Sequence, residues 1–547
     1  MDDKLRRSNW LFAFSSILLL LNACTPATET APSQPNILLI LVDDMGYSDL
    51  SCYGSEIATP HIDSLAYNGL RLTQFYNAAR CCPTRAALLT GLYPHQAGMG
   101  HQNQDKGLPS YRGRINGKAT TIAEVLQQRG YTNYQVGKWH VGNTAPFWPG
   151  NKGFDQYLTL IEGAMSYFNA WPWAKNQDTL EMRYNGRAYQ TPPDFFATDT
   201  FSDTAAAFIQ RHDTAQPFFM YLAYNAPHWP LHVRQEDRDL YDGIYDDGWA
   251  PIRENRLNKM KELGIISPEM ELTNPYPTVP DWDTLSLEAK EDWSTKMELY
   301  AAVMHRLDLG VGKVVQALRE SGQLDNTLIL FLSDNGACQE DPLGPWITYP
   351  NDGEAGGPYS FPAYELPWAN VSNTPFRLFK SFLHEGGMRT PFIAHWPGRI
   401  PAGQIDRSSV GHIIDVLPTL ANIADTPYPT QIGQRRITPA AGQSLTEVLQ
   451  GVPDTSDRIL FWEHQFNRAV RDGDWKLVSA HRLPGQGRNG EWELYHLPSD
   501  PTEINDLAEA HPEKVEAMAR QYQIWADSVG AYDRIRLKQL IEQRKSQ

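Results

Sequence analysis

The sequence predicts an α/β fold, because strand-like apolar runs alternate with helical segments along most of its length. Three runs contain almost no polar residues, as is typical of strands that are buried on both faces of a sheet. These runs are 36–42 (NILLILV), 218–223 (FFMYLA) and 327–332 (TLILFL). The length of 547 residues is sufficient for one large domain with a smaller domain beside it.

Helix signals lie between these runs. The segment 59–69 (TPHIDSLAYNG) begins with a capping threonine and a proline suited to the first turn, and a glycine can end it. In the segment 120–130, Thr121 and Glu124 have the spacing of a capping box. A third helix is predicted over 297–318, directly before the last apolar run.

The pattern changes near residue 455. The segments RILFWEH, NRAVRDGDWKLVSA and EWELYHL have the character of short strands separated by polar turns, and an amphipathic helix is predicted over 511–530. The sequence therefore predicts a main domain over 36–455. A C-terminal subdomain over 456–547 is predicted to contain antiparallel strands packed with a helix.

Residues 1–24 resemble the signal peptide of a bacterial lipoprotein. Basic residues precede the apolar run WLFAFSSILLLL, which is short for a membrane-spanning helix, and Cys24 follows as the expected lipid acceptor. Ordinary secretion with a removed peptide is the alternative. Residues 25–35 (TPATETAPSQP) lack periodicity and indicate a flexible tether. We therefore expect an exported protein that is lipid-anchored in the bacterial envelope, facing the periplasm or the cell exterior.

The charge balance argues against a nucleic-acid partner. The chain has 48 Lys and Arg against 64 Asp and Glu, which gives a formal net charge of −16. It contains no basic run of the kind that nucleic-acid-binding proteins carry. Contact with a membrane is accordingly expected only through the lipid anchor at Cys24.

Polar groups follow these three apolar runs and a short fourth run after the capped helix, within YQVGKWHVG, at the point where each run ends. In an open α/β sheet, ligands bind beyond the carboxyl ends of the strands. Asp, Asn and Gly also end strands simply because they form turns. Four strand ends with chemically complementary polar groups nevertheless favour a ligand-binding site. The groups are Asp43 and Asp44, Lys138 and His140, His228, and Asp334 and Asn335.

The oxygen-bearing members of this group predict a metal site. Asp43, Asp44, Asp334 and Asn335 offer only carboxylate and amide oxygens. Such a set suits a hard cation and does not suit Zn²⁺, which prefers nitrogen and sulfur. Mixed carboxylate and amide ligation favours Ca²⁺ over Mg²⁺.

Two adjacent cysteines, Cys81 and Cys82, precede a predicted helix over 83–91 (PTRAALLTG). The start of a helix favours negative charge, and Arg85 belongs to the same first turn, so the segment is suited to an anion. Three interpretations stay open from the residues alone. The thiols could form a disulfide with each other, be small buried groups, or include a nucleophile whose thiolate is favoured by its surroundings.

The segment also resembles the signature of the formylglycine-dependent sulfatases, through Cys81-x-Pro83-x-Arg85 and Leu89-Thr90-Gly91. Thr84 stands where serine is commoner, and Cys82 occupies the variable position. Further blocks resemble the family in the family's order, within 36–392: NILLILVDDMGYSDL, TPHIDSLAYNG, VGKWHVG, NAPHWP, SDNGA and KSFLHEGGMRTPF. The bacterial arylsulfatase-type branch is the most similar.

This resemblance implies a fold, an activity and a partner. The implied fold is an alkaline-phosphatase-like mixed sheet between helices, with the smaller antiparallel subdomain at the C-terminus. The implied activity is hydrolysis of sulfate monoesters, either aryl sulfates or sulfated carbohydrates, to an alcohol and inorganic sulfate. Hydrolysis of phosphonate or phosphate diesters with the same nucleophile is the alternative. A maturation enzyme is the implied partner, since it oxidises Cys81 to formylglycine.

The resemblance further implies how the nucleophile is held. Formylglycine at position 81 forms a diol, one oxygen of which attacks sulfur, and Arg85 and Lys138 hold this diol. Asp334 accepts the proton of the nucleophile. One Ca²⁺ ion is held by position 81 together with Asp43, Asp44, Asp334 and Asn335.

The remaining roles that the resemblance implies concern the sulfate group. The sulfate oxygens are bound by Lys138, Lys380 and His228. Either His228 or Lys380 protonates the leaving oxygen. His140 takes the proton of the second diol hydroxyl, which releases sulfate. The aromatic residues of AWPWAKNQ (170–177) could form a wall for a ring-shaped substrate, but a packed loop explains them equally well.

Overall fold

A computed structural model describes residues 34–175, 180–483 and 490–545. The predicted signal peptide, the lipid acceptor Cys24 and most of the tether lie outside the described residues, so they stay predictions. Within the described ranges, no helix combines the length and the apolar character that a membrane span requires.

The helices and strands follow one another in the alternation that the sequence predicts. The strands are β1 (Asn36–Val42), β2 (Leu70–Tyr76), β3 (Thr132–Lys138), β4 (Gln156–Leu160), β5 (Met182–Tyr184), β6 (Arg187–Ala188), β7 (Phe218–Ala223), β8 (Thr327–Ser333), β9 (Arg389–His395), β10 (Gln404–Asp406), β11 (Gly411–His412), β12 (Gln431–Ile432), β13 (Arg435–Arg436), β14 (Ile459–His464), β15 (Asn467–Asp472), β16 (Trp475–Ser479) and β17 (Glu493–His496). The helices are α1 (Pro60–Tyr67), α2 (Cys81–Thr90), α3 (Pro94–Ala97), α4 (Ile122–Leu126), α5 (Ala197–Arg211), α6 (Trp249–Glu262), α7 (Leu287–Glu320), α8 (Glu365–Ser372), α9 (Glu385–Met388), α10 (Val416–Ile423), α11 (Thr446–Leu449), α12 (Pro512–Val529) and α13 (Arg534–Lys545).

The central sheet is mixed, with the strand order β10-β2-β9-β8-β1-β7-β3-β4-β5-β6, and β11 pairs with β2. Strand β1 lies in its middle and runs parallel to both β7 and β8. Every residue of β1 is buried because helices cover both faces of the sheet. Leu38 and Ile40 belong to one hydrophobic core, and Leu39 and Leu41 belong to the core on the opposite face. The predicted α/β fold class is therefore confirmed.

The C-terminal subdomain is an antiparallel sheet of four strands in the order β14-β15-β16-β17, as predicted. Helix α12 packs against this sheet, and the rings of Phe461 and Trp525 stack with their centroids 5.3 Å apart. A buried ion pair joins the sheet to the preceding chain, since Nζ of Lys476 lies 2.7 Å from Glu385. The same Nζ lies 2.7 Å from Glu503, which follows β17 within the subdomain. The boundary at residue 455 stays a prediction.

Two helices begin earlier than the sequence predicts. Helix α2 begins at Cys81, so both thiols lie in its first turn and do not precede it. Pro83 is tolerated there because the N–H groups of a first helical turn have no intrahelical partner. Helix α7 begins at Leu287, where Ser286 caps it by accepting a hydrogen bond from the N–H of Ala289 at 3.2 Å. The first turns of α7 were not predicted because their residues are mostly polar and show no apolar periodicity.

Candidate active site

The carboxyl ends of four neighbouring strands meet at one edge of the central sheet. These strands are β8, β1, β7 and β3, which all run parallel. Their order along the sheet brings together residues that are far apart in the sequence. The predicted groups at these ends are all buried, namely Asp43, Asp44, Lys138, His140, His228, Asp334 and Asn335.

The carboxylate of Asp44 is surrounded by donors. Nζ of Lys380 lies 2.8 Å from it, Nδ2 of Asn335 donates to Oδ1 at 2.7 Å, and Nε2 of His228 lies 3.4 Å from Oδ2. Burial raises the pKa of Asp44, but Lys380 and His228 outweigh burial and hold that pKa below its usual range. The main-chain N–H of Lys380 donates to the carbonyl of Ala337 at 3.0 Å, which holds this segment beside the end of β8.

A second cluster joins Asp43 and Asp334 to two cations. Nζ of Lys138 lies 2.5 Å from Oδ2 of Asp43, and Nη2 of Arg85 lies 2.8 Å from Oδ2 of Asp334. Nη1 of Arg85 also donates to the carbonyl of Lys138 at 3.1 Å. Burial, followed by repulsion from Asp43, raises the pKa of Asp334 to about 8.

The two thiols lie at the start of α2, close to His140. Sγ of Cys82 lies 3.6 Å from Nε2 of His140, and the ligand atoms of Cys81, Cys82 and His140 all lie within 4.8 Å of one another. A hydrogen bond from Cys82 lowers the pKa of the Cys81 thiol well below its ordinary value, and Lys138 adds to this effect. Burial raises the pKa of Cys82, so the two neighbouring thiols are chemically different.

The disulfide interpretation of these cysteines is wrong. Among the described residues, the thiols of Cys81 and Cys82 are free, as are those of Cys52 and Cys338. All four are buried.

The acidic residues fit a hard cation. Oδ1 of Asp43 and Oδ1 of Asn335 are buried, and neither has a hydrogen-bond partner within the described part of the chain. Buried oxygens of this kind require a positive partner, and their chemistry is that of Ca²⁺ or Mg²⁺ ligands. Donor atoms of Asp43, Asp44 and His228 also lie within 4.8 Å of one another, so the His228 ring is a further potential ligand that the sequence did not indicate.

Several neighbours of the site were not predicted. Sγ of Cys338 lies 3.7 Å from Nζ of Lys380, and Nη1 of Arg80 lies 2.5 Å from Oε1 of Glu340. The sequence carried a weak signal for two of them, because Cys338 follows the predicted ligand Asn335 by three residues and Arg80 directly precedes Cys81. Glu340 could not be located in this way, since its partner is 260 residues distant.

The family described as Sulfatase matches residues 35–426, which is well over half of the chain. The chain belongs to the sulfatase family. A second family, described as N-sulphoglucosamine sulphohydrolase, C-terminal, matches residues 376–524 of this sulfatase. The chain is therefore a hydrolase of sulfuric esters, and the predicted activity is confirmed.

Individual relatives agree with this assignment. The sulfatase is 34% identical to an uncharacterized sulfatase of Schizosaccharomyces pombe, covering 92% of this chain and 95% of the relative. It is 32% identical to the arylsulfatase of Klebsiella aerogenes, covering 76% of this chain and 92% of that enzyme. The crystal structure of Ps i-CgsB in complex with k-i-k-neocarrahexaose superimposes with a TM-score of 0.65 at 26% identity, covering 90% and 93% of the two chains.

Proposed function

We propose that this sulfatase hydrolyses sulfate esters of carbohydrates with formylglycine at position 81 and one Ca²⁺ ion. The observation that carries the proposal is the position of Cys81. It lies in the first turn of a buried helix, where Arg85 and Lys138 interact electrostatically with its sulfur. A group at this position faces positive charge that is suited to a sulfate anion. Oxidation by a maturation enzyme would convert the thiol to an aldehyde, whose hydrate supplies the oxygen nucleophile.

Asp43, Asp44, Asp334 and Asn335 would hold the ion together with position 81. The unpartnered Oδ1 atoms of Asp43 and Asn335 support this assignment. The ion would supply positive charge that stabilises an oxygen anion beside it. Ca²⁺ is favoured over Mg²⁺ because the set mixes carboxylates with an amide.

Lys138, Lys380 and His228 are proposed to bind the sulfate oxygens. The ammonium group of Lys138 forms an ion pair with Asp43, and that of Lys380 forms an ion pair with Asp44. Both ammonium groups are therefore held at the strand ends. Negative charge is spread over the sulfate oxygens and moves to the leaving oxygen as the ester bond breaks. Fixed cations can stabilise this charge throughout, and the loss of one such contact is expected to lower the rate by roughly a hundredfold or more.

Three side chains are proposed to move protons. Asp334 would accept the proton of the nucleophile, and Arg85 orients its carboxylate with contacts at 2.8 and 2.9 Å. His228 would act as the imidazolium, whose Nδ1–H donates to the carbonyl of Trp229 at 2.7 Å and whose Nε2–H would protonate the leaving oxygen. Lys380 is the second candidate for this role. His140 would take the proton of the second hydroxyl at position 81, since its Nε2 faces the thiol pair.

The comparisons support sulfated carbohydrates as the substrate class. Relatives include N-acetylgalactosamine-6-sulfatases, of which the dog enzyme is 28% identical over 92% of this chain. The structural neighbour Ps i-CgsB was crystallised with an oligosaccharide, k-i-k-neocarrahexaose. Aryl sulfates are expected to serve as surrogate substrates, because the proposed contacts are made to the sulfate group and not to the alcohol.

The test combines mass spectrometry with sulfate release. Peptides over position 81 are expected to carry an aldehyde when the protein is made in a host with the maturation enzyme. Cys81→Ala is expected to abolish release of sulfate, whereas the matched Cys82→Ala variant retains turnover. Full activity of protein whose position 81 is an unmodified thiol would refute the proposal. A strong preference for an aryl phosphodiester over the matched aryl sulfate would instead support the diester alternative.

We further propose that the protein is exported and anchored by lipid at Cys24. The basic and apolar residues before Cys24 support this, and the proposal is independent of the chemistry at position 81. Metabolic labelling with a radioactive fatty acid is expected to mark the wild type but not Cys24→Ala. An unlabelled wild-type protein in the culture medium would indicate ordinary secretion instead.

A further inference from the structure

We propose that an aromatic surface beside His228 binds a neutral sugar unit next to the sulfated one. This surface, called here the aromatic wall, consists of Trp171, Trp173, Trp229, Trp346 and Tyr359. The inference rests on the proposed function and specifies its substrate as an oligosaccharide or a polysaccharide. The wall would bind the neighbouring sugar ring by stacking, while the sulfate occupies the cluster at the strand ends.

The wall continues outward from the site through a chain of ring contacts. The rings of His228 and Trp229 have centroids 4.4 Å apart, and those of Trp229 and Trp173 are 5.4 Å apart. The next contact joins Trp173 to Trp346 at 5.7 Å. Since Nε2 of His228 lies 3.4 Å from Asp44, the chain begins at the proposed catalytic cluster. Because this row contains several neighbouring rings, it suits a substrate of several sugar units better than a single small ester.

The outer members of the wall are exposed, although aromatic rings normally gain stability from burial. Trp171 and Trp346 are each 44% exposed, and Tyr359 is 51% exposed. The rings of Trp171 and Tyr359 lie 6.0 Å apart, so the exposed apolar area is continuous there. Exposed apolar surface beside a catalytic cluster indicates a binding role.

Backbone hydrogen bonds hold the two segments that carry the wall. Ala174 and Ile347 form an antiparallel bridge. The N–H of Lys175 donates to the carbonyl of Trp346 at 3.0 Å, and the N–H of Thr348 donates to the carbonyl of Trp173 at 2.9 Å. The indole N–H of Trp173 also donates to the carbonyl of Ala164 at 3.2 Å. The backbone of the two segments and the ring of Trp173 are therefore held in place before a ligand arrives, which lowers the entropic cost of binding.

A polar group within the wall is suited to a hydroxyl. The Nε1–H of Trp229 is buried and has no hydrogen-bond partner among the residues that the structure describes. A buried donor without a partner is unfavourable, and buried tryptophans usually find one. A sugar hydroxyl that reaches Nε1 when the covering side chains shift would supply the missing acceptor, whereas an unsubstituted aryl ring has no oxygen to accept this hydrogen bond.

The charge around the wall favours a neutral sugar over a sulfated one. The segment 340–364 contains four carboxylates and no lysine or arginine, and the segment 163–175 contains one charged side chain, Lys175. Glu340 and Glu354 pair with arginines, but Asp341 and Asp352 form no ion pair within the described residues. A sulfate at this position would meet like charge, which disfavours its binding.

The test compares substrate lengths. Sulfated monosaccharides, disaccharides and tetrasaccharides derived from carrageenan, chondroitin sulfate and heparan sulfate are assayed, with an aryl sulfate as reference. For the sugar series that is hydrolysed, we expect kcat/KM to rise about tenfold from monosaccharide to tetrasaccharide, the effect of about one good stacking contact. Trp171→Ala and Trp346→Ala are expected to reduce this rise to less than about threefold. A second sulfate on the neighbouring sugar is expected to remove the rise in the wild type.

Tyr67→Ala is the matched control, because Tyr67 is an exposed aromatic residue (43%) that lies far from the wall. It lies just before the start of β2, at the end of the sheet opposite to the carboxyl ends of β1 and β8. It is expected to leave the length dependence unchanged. The inference is overturned if kcat/KM does not depend on length, or if both tryptophan variants keep the full rise. Turnover of aryl sulfate without turnover of any sugar would overturn both the wall and the carbohydrate substrate. Loss of all turnover despite an aldehyde at position 81 would refute the proposed function itself.

Discussion

Nη2 of Arg85 lies 2.8 Å from Oδ2 of Asp334, and both side chains are completely buried. The same guanidinium donates through Nε to Oδ2 of Asp334 at 2.9 Å and through Nη1 to the carbonyl of Lys138 at 3.1 Å. Arg85 therefore holds both the acidic residue that directly follows β8 and the end of β3. A lysine at this position would keep the charge but could not reproduce the forked geometry.

The first prediction concerns this contact. We expect Arg85→Lys to lower kcat/KM on an aryl sulfate by roughly a hundredfold or more, since the variant keeps the charge but loses the forked contacts that orient Asp334 and the end of β3. Arg253→Lys is the control, because Arg253 is also buried but contacts Thr273 at 2.8 Å, away from the strand ends. Wild-type kinetics in Arg85→Lys would contradict the role assigned to this residue.

The second prediction concerns the metal. Protein stripped with a chelator is expected to unfold at a higher temperature after Ca²⁺ is added, because an ion that binds only the folded state stabilises it. At a free Ca²⁺ concentration a hundred times the Kd, this stabilisation is about 2.7 kcal/mol. Mg²⁺ is expected to have a smaller effect at equal concentration. Differential scanning calorimetry of the apoprotein measures both effects without an activity assay.

Asn335→Ala tests whether the proposed ligands cause this shift. The variant removes the unpartnered Oδ1 atom of Asn335, so it should reduce the increase in unfolding temperature. Asp308→Asn should keep the full increase, because Asp308 is buried elsewhere and accepts hydrogen bonds from the N–H groups of His61 and Ile62. An identical increase in Asn335→Ala and in the wild type would place the ion at another site.

Local sequence patterns predict some elements of this fold and not others. Strand β1 was predicted over its full length because seven consecutive residues, all buried, carry the signal by themselves. The polar residues at the strand ends were predicted because parallel strands place their carboxyl ends at one edge. Helix α13 was not predicted, since Leu537 is the buried residue within Arg534–Lys545 and no apolar period marks the helix.

Long-range contacts were beyond the reach of the sequence pattern. The approach of Cys82 to His140 joins residues 58 positions apart and depends on how α2 packs against the end of β3. The aromatic wall likewise depends on contacts between residues that are far apart in the sequence. Trp173 and Trp346 meet only because two irregular segments form a bridge, and no periodicity of either segment encodes this pairing.

The third prediction concerns the attachment of the C-terminal sheet. Lys476→Met is expected to destabilise the protein by about 3–5 kcal/mol, because Glu385 and Glu503 would lose the buried ammonium group that lies 2.7 Å from each. Lys313→Met is the control, since Lys313 pairs with Asp203 at the surface, where an ion pair contributes at most about 1 kcal/mol. Chemical denaturation measures both midpoints. Equal midpoints for the two variants would show that the buried pairs do not stabilise the junction.

The fourth prediction concerns acid stability and His232. This ring is buried and neutral, because Nε2 lies 2.8 Å from the carbonyl of Ser360 and donates to it, while Nδ1 accepts from the N–H of Tyr167 at 3.3 Å. Burial lowers the pKa of His232 from 6.5 to about 4. Between these two values the unfolded chain binds a proton that the folded chain excludes. Stability is therefore complete above pH 6.5 and falls as the pH drops towards 4.

His232→Gln isolates this contribution from those of other buried histidines. The difference in pKa corresponds to about 3 kcal/mol that the wild type loses between pH 6.5 and 4, whereas glutamine does not titrate. At pH 7.5 the variant should be less stable, because its amide cannot make both hydrogen bonds with the geometry of the ring. The difference between the two denaturation midpoints should then shrink steadily as the pH falls to 4.5. A difference that stays constant over this interval would mean that His232 has the same pKa in the folded and the unfolded chain.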